Sequence, residues 1–173
     1  MLHRSIATLA CTVILGVASF AQGNKPSPAE TATVSLSGHT VTINYSAPSM
    51  RGRKIVGELV PYGKVWRTGA NEATSLKTDV ALKVGGTAVP AGSYTLYSLP
   101  DSSGWMLIIN KQTGQFGTEY NQEQDLARIP MQSKKLSSPQ EKMSISFENT
   151  HGKSTELHIK WENTDVSVPV TAQ

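Results

Sequence analysis

The sequence predicts an all-β fold, an antiparallel β-sandwich or flattened barrel of about eight strands, with short helical turns at most. Three observations predict it. Apolar residues recur at every second position in several short stretches, which is the spacing of a half-buried strand. Gly, Pro, Asn and Asp separate these stretches. No long stretch has apolar residues at the i, i+3, i+4 and i+7 positions of an amphipathic helix.

The first strands follow from alternation around turn residues. Apolar residues alternate from Val34 to Tyr45, and a turn at Ser37-Gly38-His39 divides this stretch into a hairpin. Further along, Leu82 and Val84 lead into Gly85-Gly86, and residues 93–100 alternate again. Residues 105–109 form a nearly continuous apolar run between turn formers, which is typical of a central strand covered on both faces.

The last third of the chain predicts one more hairpin and a closing strand. Residues 143–147 pair by pattern with residues 157–161 across a turn that contains Asn149 and Gly152. Residues 166–170 form a separate last strand, which we expect at a sheet edge because Pro169 has no backbone N–H to donate.

The amino terminus has the layout of a secretory signal peptide. His3 and Arg4 precede an apolar run over residues 6–17, and small residues follow up to Ala21. The run is shorter than the roughly 20 apolar residues of a membrane-spanning helix. We therefore expect a cleaved signal peptide over residues 1–21, a flexible lead-out over 22–33 and a single β-rich domain over 34–173. A retained anchor is the alternative.

Export would place the mature chain in the periplasm or outside the cell, without stable membrane insertion. Cleavage would remove Cys11, the single cysteine, so the mature chain has no disulfide and no thiolate site. The net charge of +3 is too small to indicate nucleic-acid binding. The sequence has no zinc-protease, nucleophile-elbow or phosphate-loop motif, and we expect no cofactor and no metal. His158 lies on the polar face of its strand, which is typical of a solvated position.

Residues 51–74 are the stretch that departs from plain strand and turn. Five basic residues and one acidic residue lie between positions 51 and 67, together with aromatic residues and several glycines. Arginine offers a planar fork for carboxylate, phosphate or sulfate, and an aromatic ring offers a flat face for a sugar or a cation. The predicted ligand-binding residues are Arg51, Arg53, Trp66, Arg67, Asn71, Glu72 and Glu119.

A structural interpretation of the same stretch stays open. A glycine-rich segment can cross between two sheets, with its Trp filling one end of the core and its Arg residues capping backbone carbonyls. Residues 112–120 likewise either cover a core edge with Phe116 and Tyr120 or form the other wall of the same pocket. Glu72 and Glu119 could also act as an acid and base pair in glycoside cleavage, provided that they lie close together.

Several of these stretches resemble one known family. The segments RGRKIVGELVPYGKVWRTGANEAT, LKVGGTAVPAGSYTLYSLP, WMLIINKQTGQFGTEY and WENTDVSVPV are similar, in order and spacing, to the bacterial exported family catalogued as domain of unknown function 2911. The resemblance implies a secreted or periplasmic β-rich domain with no assigned activity. The family often has Trp at the position of Phe116.

Three functions remain open on the sequence. The first is a non-catalytic binding module for a polar or anionic small molecule or a glycan of the bacterial envelope. The second is an interaction or assembly domain with an envelope protein as partner. The third is a carboxylate-dependent hydrolase. The sequence favours the first, and it predicts no nucleic-acid partner.

Overall fold

The computed structural model describes residues 26–173, so the predicted signal peptide and its cleavage position lie outside the described residues. The all-β prediction is confirmed, because this part of the chain consists of strands, turns and one 3₁₀ turn. The strands are β1 (Ala29–Leu36), β2 (His39–Ser46), β3 (Ser75–Thr78), β4 (Leu82–Val84), β5 (Thr87–Val89), β6 (Gly92–Pro100), β7 (Trp105–Asn110), β8 (Asp125–His151) and β9 (Ser154–Ala172), and the 3₁₀ turn covers Gln122–Gln124.

The strands follow the order β1-β2-β3-β6-β7-β8-β9-β4-β5, and every neighbouring pair is antiparallel. Strand β8 joins two parts of this open sheet. Its first residues, up to Met131, pair with β7, and from Gln132 onward it pairs with β9. β1 lies against β8 and β9, although it is far from both in the strand order. The sheet therefore folds over into two layers.

One apolar core fills the space between the layers. Its members come from the inward positions of every strand, as the alternation predicts. Burial of each large aliphatic side chain contributes about 1.5–3 kcal/mol relative to leaving it exposed. The largest fully buried side chains include Leu36, Ile43, Ile55, Leu82, Leu96, Leu107, Ile109, Ile129 and Met143.

The two predicted hairpins and the central strand are confirmed. β1 and β2 pair from Leu36 opposite His39, so Ser37 and Gly38 form a two-residue loop with φ values of 51° and 90°. Positive φ at both positions defines the type I′ turn that suits the twist of a hairpin. β7 lies between β6 and β8, and residues 144–147 pair with residues 157–160. β1 begins at Ala29, inside the segment expected to be a flexible lead-out, because residues 29–33 pair with β2.

The prediction of a separate closing strand at an edge is wrong. Residues 166–170 continue β9, which lies between β8 and β4. The inward side chains change from odd positions, such as Trp161, to even positions, such as Val166, because the strand bends at Glu162, which has a φ of 53°. Pro169 lies opposite Gly85, the first residue after β4, and its carbonyl accepts a hydrogen bond from the Gly85 amide at 2.8 Å.

Candidate functional site

Residues 51–74 connect β2 to β3, and contacts from distant strands fix their path. The Glu162 carboxylate accepts hydrogen bonds from the backbone amides of Val56 at 3.0 Å and Ile55 at 3.5 Å. Farther along, Trp66 exchanges two backbone hydrogen bonds with Ser98 of β6, at 2.8 and 2.9 Å. These contacts therefore fix the segment at residues 55–56 and at residue 66.

Arg51 and Arg53 hold the start of this segment. Arg53 donates to the carbonyls of Met50 at 2.9 Å and Ser49 at 2.8 Å. The Arg51 guanidinium donates to the Pro26 carbonyl at 2.9 Å, and its backbone amide donates to the Glu141 carboxylate at 2.8 Å. Both side chains are exposed and satisfy backbone carbonyls, as the structural interpretation expects.

Trp66 belongs to a cluster of three indoles. It stacks on Trp161 with ring centroids 5.9 Å apart and an interplanar angle of 19°, and it meets Trp105 edge to face at 6.3 Å. Such pairs contribute about 0.5–1.5 kcal/mol beyond the area that they bury. Trp66 thus closes one end of the core, and its partly buried ring also lines a cavity beside Arg67.

Arg67 differs from Arg51 and Arg53, whose Nη2 atoms donate to backbone carbonyls. Its Nε donates to the Gly69 carbonyl at 3.2 Å, and its two terminal nitrogens make no hydrogen bond or ion pair with residues 26–173. The side chain is partly buried, and Gly117 lies directly against its stem: a Cβ at Gly117 would come within 2.6 Å of Arg67 Cδ. Packing on one side and the Nε bond on the other therefore hold the guanidinium in one position.

Residues 71–73 pair with residues 115–117, which joins the two stretches singled out in the sequence. The Ala73 amide donates to the Gln115 carbonyl at 3.3 Å, and the Gly117 amide donates to the Asn71 carbonyl at 3.1 Å. These bonds flank Glu72 and Phe116, which form an antiparallel bridge as a non-hydrogen-bonded pair. Residues directly opposite each other project from the same face of the pair. The exposed side chains of Glu72 and Phe116 therefore lie side by side.

Hydroxyl groups of β6 pin the loop over residues 112–120 to the outer face of the sheet. Thr95 donates to the Gln112 carbonyl at 2.8 Å, and Tyr97 donates to the Glu119 carbonyl at 3.3 Å. Both hydroxyls accept from the Gln115 Nε2, each at 3.1 Å. Gln115 Oε1 is buried and has no hydrogen-bond partner within residues 26–173.

Two cavities lie on either side of this pairing. The smaller one has a volume of about 170 Å³ and is lined by Arg67, Trp66, Tyr97, Thr118 and Tyr120 among others. The larger one has a volume of about 370 Å³, and its polar lining includes Asn44, Glu72, Lys77, Ser93, Thr95 and Gln115. Because the loop contributes residues 113–115 to the larger cavity and residues 117, 118 and 120 to the smaller one, the 71–73/115–117 pairing separates them.

Charged groups fix the outer wall of the smaller cavity. The Tyr120 hydroxyl donates to Asp125 at 2.6 Å and accepts from Arg128 at 2.8 Å, and its ring meets Tyr97 edge to face at 4.8 Å. Burial and the hydrogen bond to Asp125 raise the pKa of Tyr120 to about 12. The phenol is therefore neutral at physiological pH. Hydrogen bonding to Asp125 also raises the pKa of Arg128, so this cation is already paired.

The predicted site residues therefore divide into two groups. Trp66, Arg67, Asn71, Glu72 and the backbone of Glu119 lie around the loop over residues 112–120, so this loop lies against the segment over residues 51–74. Arg51 and Arg53 lie apart from them, beside Pro26 and Glu141. The Glu119 side chain lines neither of the two cavities.

His158 is not on a solvated face, contrary to the expectation from sequence. It is 8% exposed, with Nδ1 at 2.7 Å from the Asp165 carboxylate and Nε2 at 3.3 Å from that of Glu156. Extended chain advances about 3.3 Å per residue, so His158 and Asp165 meet because β9 bends at Glu162 between them. Lys160 and Glu148 complete this ion-pair network at 2.6 Å. Within residues 26–173, no group of three or more His, Cys, Asp or Glu side chains could hold a metal ion.

Fold and site define a class of protein: a two-layered, open antiparallel β protein that carries polar cavities on the outer face of one layer. Residues 27–170 match the family described as Protein of unknown function (DUF2911), and the chain belongs to this family. No curated protein and no solved structure matches the chain. In the part of the chain that the structure describes, no helix is long and apolar enough to cross a membrane.

Proposed function

We propose that this protein is an exported, non-catalytic binding module for a small polar or anionic molecule, and that Arg67 recognises the anionic group. One observation carries the proposal. Arg67 lines a cavity, is held in place by Gly69 and Gly117, and has two terminal nitrogens without a partner in residues 26–173. A guanidinium fixed in this way can bind a carboxylate, phosphate or sulfate through two parallel hydrogen bonds.

The surroundings of Arg67 favour an anion over a neutral ligand. Asp125, which accepts a hydrogen bond from the Tyr120 hydroxyl in the wall of this cavity, already pairs with Arg128. Partial burial lowers the local dielectric constant, which strengthens the attraction between the guanidinium and an anion. The cavity of about 170 Å³ is smaller than a typical ligand pocket of about 300 to 1,000 Å³, so it fits a compact anion or the charged end of a larger molecule.

Binding is favoured over the hydrolase alternative. A glycosidase needs two carboxyl groups that flank one scissile bond. Glu72 lines the larger cavity, whereas the Glu119 side chain lines neither cavity. Glu119 contacts this region through its backbone carbonyl, which accepts a hydrogen bond from Tyr97. Nothing in this arrangement favours a catalytic pair.

Titration with sulfate, followed by calorimetry, tests the proposal. We expect the wild-type protein to bind sulfate and the variant Arg67→Gln to lose this binding. Lys64→Gln is the matched control, because it removes the same charge from the same segment, at an exposed side chain that lines neither cavity. Equal sulfate binding in wild type and Arg67→Gln, with both variants folded, would refute the assignment of Arg67. The export proposal has its own test: the secreted mature chain should begin at Gln22 by mass spectrometry.

A further inference from the structure

Three of the seven residues that line the smaller cavity are aromatic: Trp66, Tyr97 and Tyr120. The hydroxyls of the two tyrosines are engaged outside the cavity. Tyr97 donates to the Glu119 carbonyl at 3.3 Å, and Tyr120 donates to the Asp125 carboxylate at 2.6 Å. What both tyrosines offer to a ligand is therefore the carbon surface of their rings, to which Trp66 adds a third ring.

The charge of the cavity matches a carboxylate better than a sulfate or a phosphate. Arg67 is the one charged residue among those that line it. Its Nε already donates to the Gly69 carbonyl, so the two terminal nitrogens remain. Two neighbouring N–H donors match the two oxygens and the single negative charge of a carboxylate. A sulfate or phosphate has more oxygen atoms and more charge than one guanidinium pairs, so the site favours the carboxylate.

The volume of the cavity limits the rest of the ligand to about one ring. An apolar cavity of about 150 Å³ holds one molecule of benzene, and the smaller cavity has about 170 Å³. Aromatic rings attract one another in edge-to-face or offset arrangements. Tyr97 and Tyr120 already meet edge to face at 4.8 Å, and Trp66 stacks on Trp161. A flat ring between such walls gains the same kind of contact.

We infer that the ligand is a small aromatic carboxylic acid, with its carboxylate at the terminal nitrogens of Arg67 and its ring against Trp66 and Tyr120. This inference rests on the proposed function of Arg67 and adds the class of ligand. The guanidinium and the aromatic rings line one and the same cavity, so a single small molecule reaches both.

Calorimetric titration of the wild-type protein with four probes tests the inference: benzoate, acetate, benzamide and cyclohexanecarboxylate. We expect benzoate to bind about tenfold or more tightly than acetate, because its ring leaves water for the aromatic wall. Benzamide has the same shape without the charge and should also bind about tenfold or more weakly than benzoate. Cyclohexanecarboxylate keeps the charge on a puckered, non-aromatic ring and should bind about threefold more weakly.

Two variants of Tyr120 separate the effect of its ring from that of its hydroxyl. Tyr120→Leu and Tyr120→Phe both lose the hydrogen bonds to Asp125 and Arg128, but Tyr120→Phe keeps the ring. The preference for benzoate over acetate should fall to about threefold or less in Tyr120→Leu and stay near tenfold in Tyr120→Phe. Tyr62→Leu is the matched control, since Tyr62 is an exposed aromatic residue that lines neither cavity, and it should change neither affinity.

The outcomes separate this inference from the proposed function. If benzoate binds no more tightly than acetate, benzamide or cyclohexanecarboxylate, the inference is overturned, whether or not the Tyr120 variants fold. Equal preferences in folded Tyr120→Leu and Tyr120→Phe would overturn it as well. In each of these cases, sulfate binding that depends on Arg67 still supports the proposed function. If neither sulfate nor benzoate binding is lost in Arg67→Gln, the proposed function itself fails.

Discussion

Gly117→Ala tests whether the loop over residues 112–120 holds Arg67 in place. Among the glycines of residues 26–173, Gly117 and Gly104 have φ values outside the left-handed region, so a side chain at either position meets steric effects alone. A Cβ at Gly117 would lie 2.6 Å from Arg67 Cδ and 2.8 Å from the Asn71 carbonyl oxygen. Both distances are shorter than real Cβ contacts, so the loop or Arg67 must shift.

The size of the effect follows from what must move. Overpacking costs about 1–3 kcal/mol, and the 3.1 Å hydrogen bond from the Gly117 amide to Asn71, worth about 1 kcal/mol, would be strained. We therefore expect the free energy of unfolding to fall by about 2 kcal/mol, which lowers Tm by about 4–8 °C in a domain of this size. Sulfate affinity should fall as well, because the guanidinium loses its fixed position.

Urea denaturation and calorimetric sulfate titration measure the two effects. Gly104→Ala is the control, since a Cβ there meets nothing within 4 Å, and its stability should be equal to or slightly above that of the wild type. The double variant Gly117→Ala/Arg67→Ala should recover part of the lost stability, because the Cδ contact is gone while the Asn71 contact remains. A Gly117→Ala protein as stable as Gly104→Ala, with unchanged sulfate affinity, would show that the loop does not restrain Arg67.

Three further predictions concern the rest of the fold. Hydrogen bonding to Lys160 lowers the pKa of Glu148, so the ionised carboxylate stabilises the fold above its ordinary pKa of 4.5, and this contribution is lost as pH falls through the lowered folded value. The difference in free energy of unfolding between wild type and Glu148→Gln, measured by urea denaturation, should therefore shrink below about pH 4, and a difference that does not depend on pH would contradict this. Gly85→Ala should cost about 3 kcal/mol or more, because φ is 54° and a Cβ would lie 2.4 Å from Ile129 Cγ2, and a loss below about 1 kcal/mol in thermal unfolding would contradict the packing. Glu162→Ala should cost about 1 kcal/mol and speed hydrogen exchange at the Val56 amide, whereas an unchanged exchange rate would mean that the carboxylate does not hold that amide.

The alternating stretches of the sequence predict much of the fold, because alternation reports directly which face of a strand is buried. The hairpin from Val34 to Tyr45 and the central strand over residues 105–109 follow from it. The length of β8 does not, because its middle, residues 133–142, is largely polar and offers no apolar alternation, and residues 133–135 and 140 pair with β9. The sequence also does not reveal the bend at Glu162, which lies within one continuous strand that the sequence presents as two.

The candidate site could be located in the sequence but not resolved. Charge and aromatic content pick out residues 51–74, yet three arginines of the same kind differ only in their neighbours. Arg51 and Arg53 meet backbone carbonyls, and Arg67 meets a cavity. The bridge between Glu72 and Phe116 joins residues far apart in sequence, and no local pattern reports such a pairing. The burial of His158 depends on the bend in β9, which no local sequence pattern reports.

The place of β9 in the sheet has a consequence for how the chain folds as it is made. β9 covers residues 154–172 and supplies the pairing partner of both β4 and most of β8. Leu82 of β4 pairs with Ala172 of β9, so β4 cannot complete its pairing until residue 172 has been synthesised. Such distant pairing slows folding. A nascent chain therefore stays incompletely folded until β9 has been synthesised.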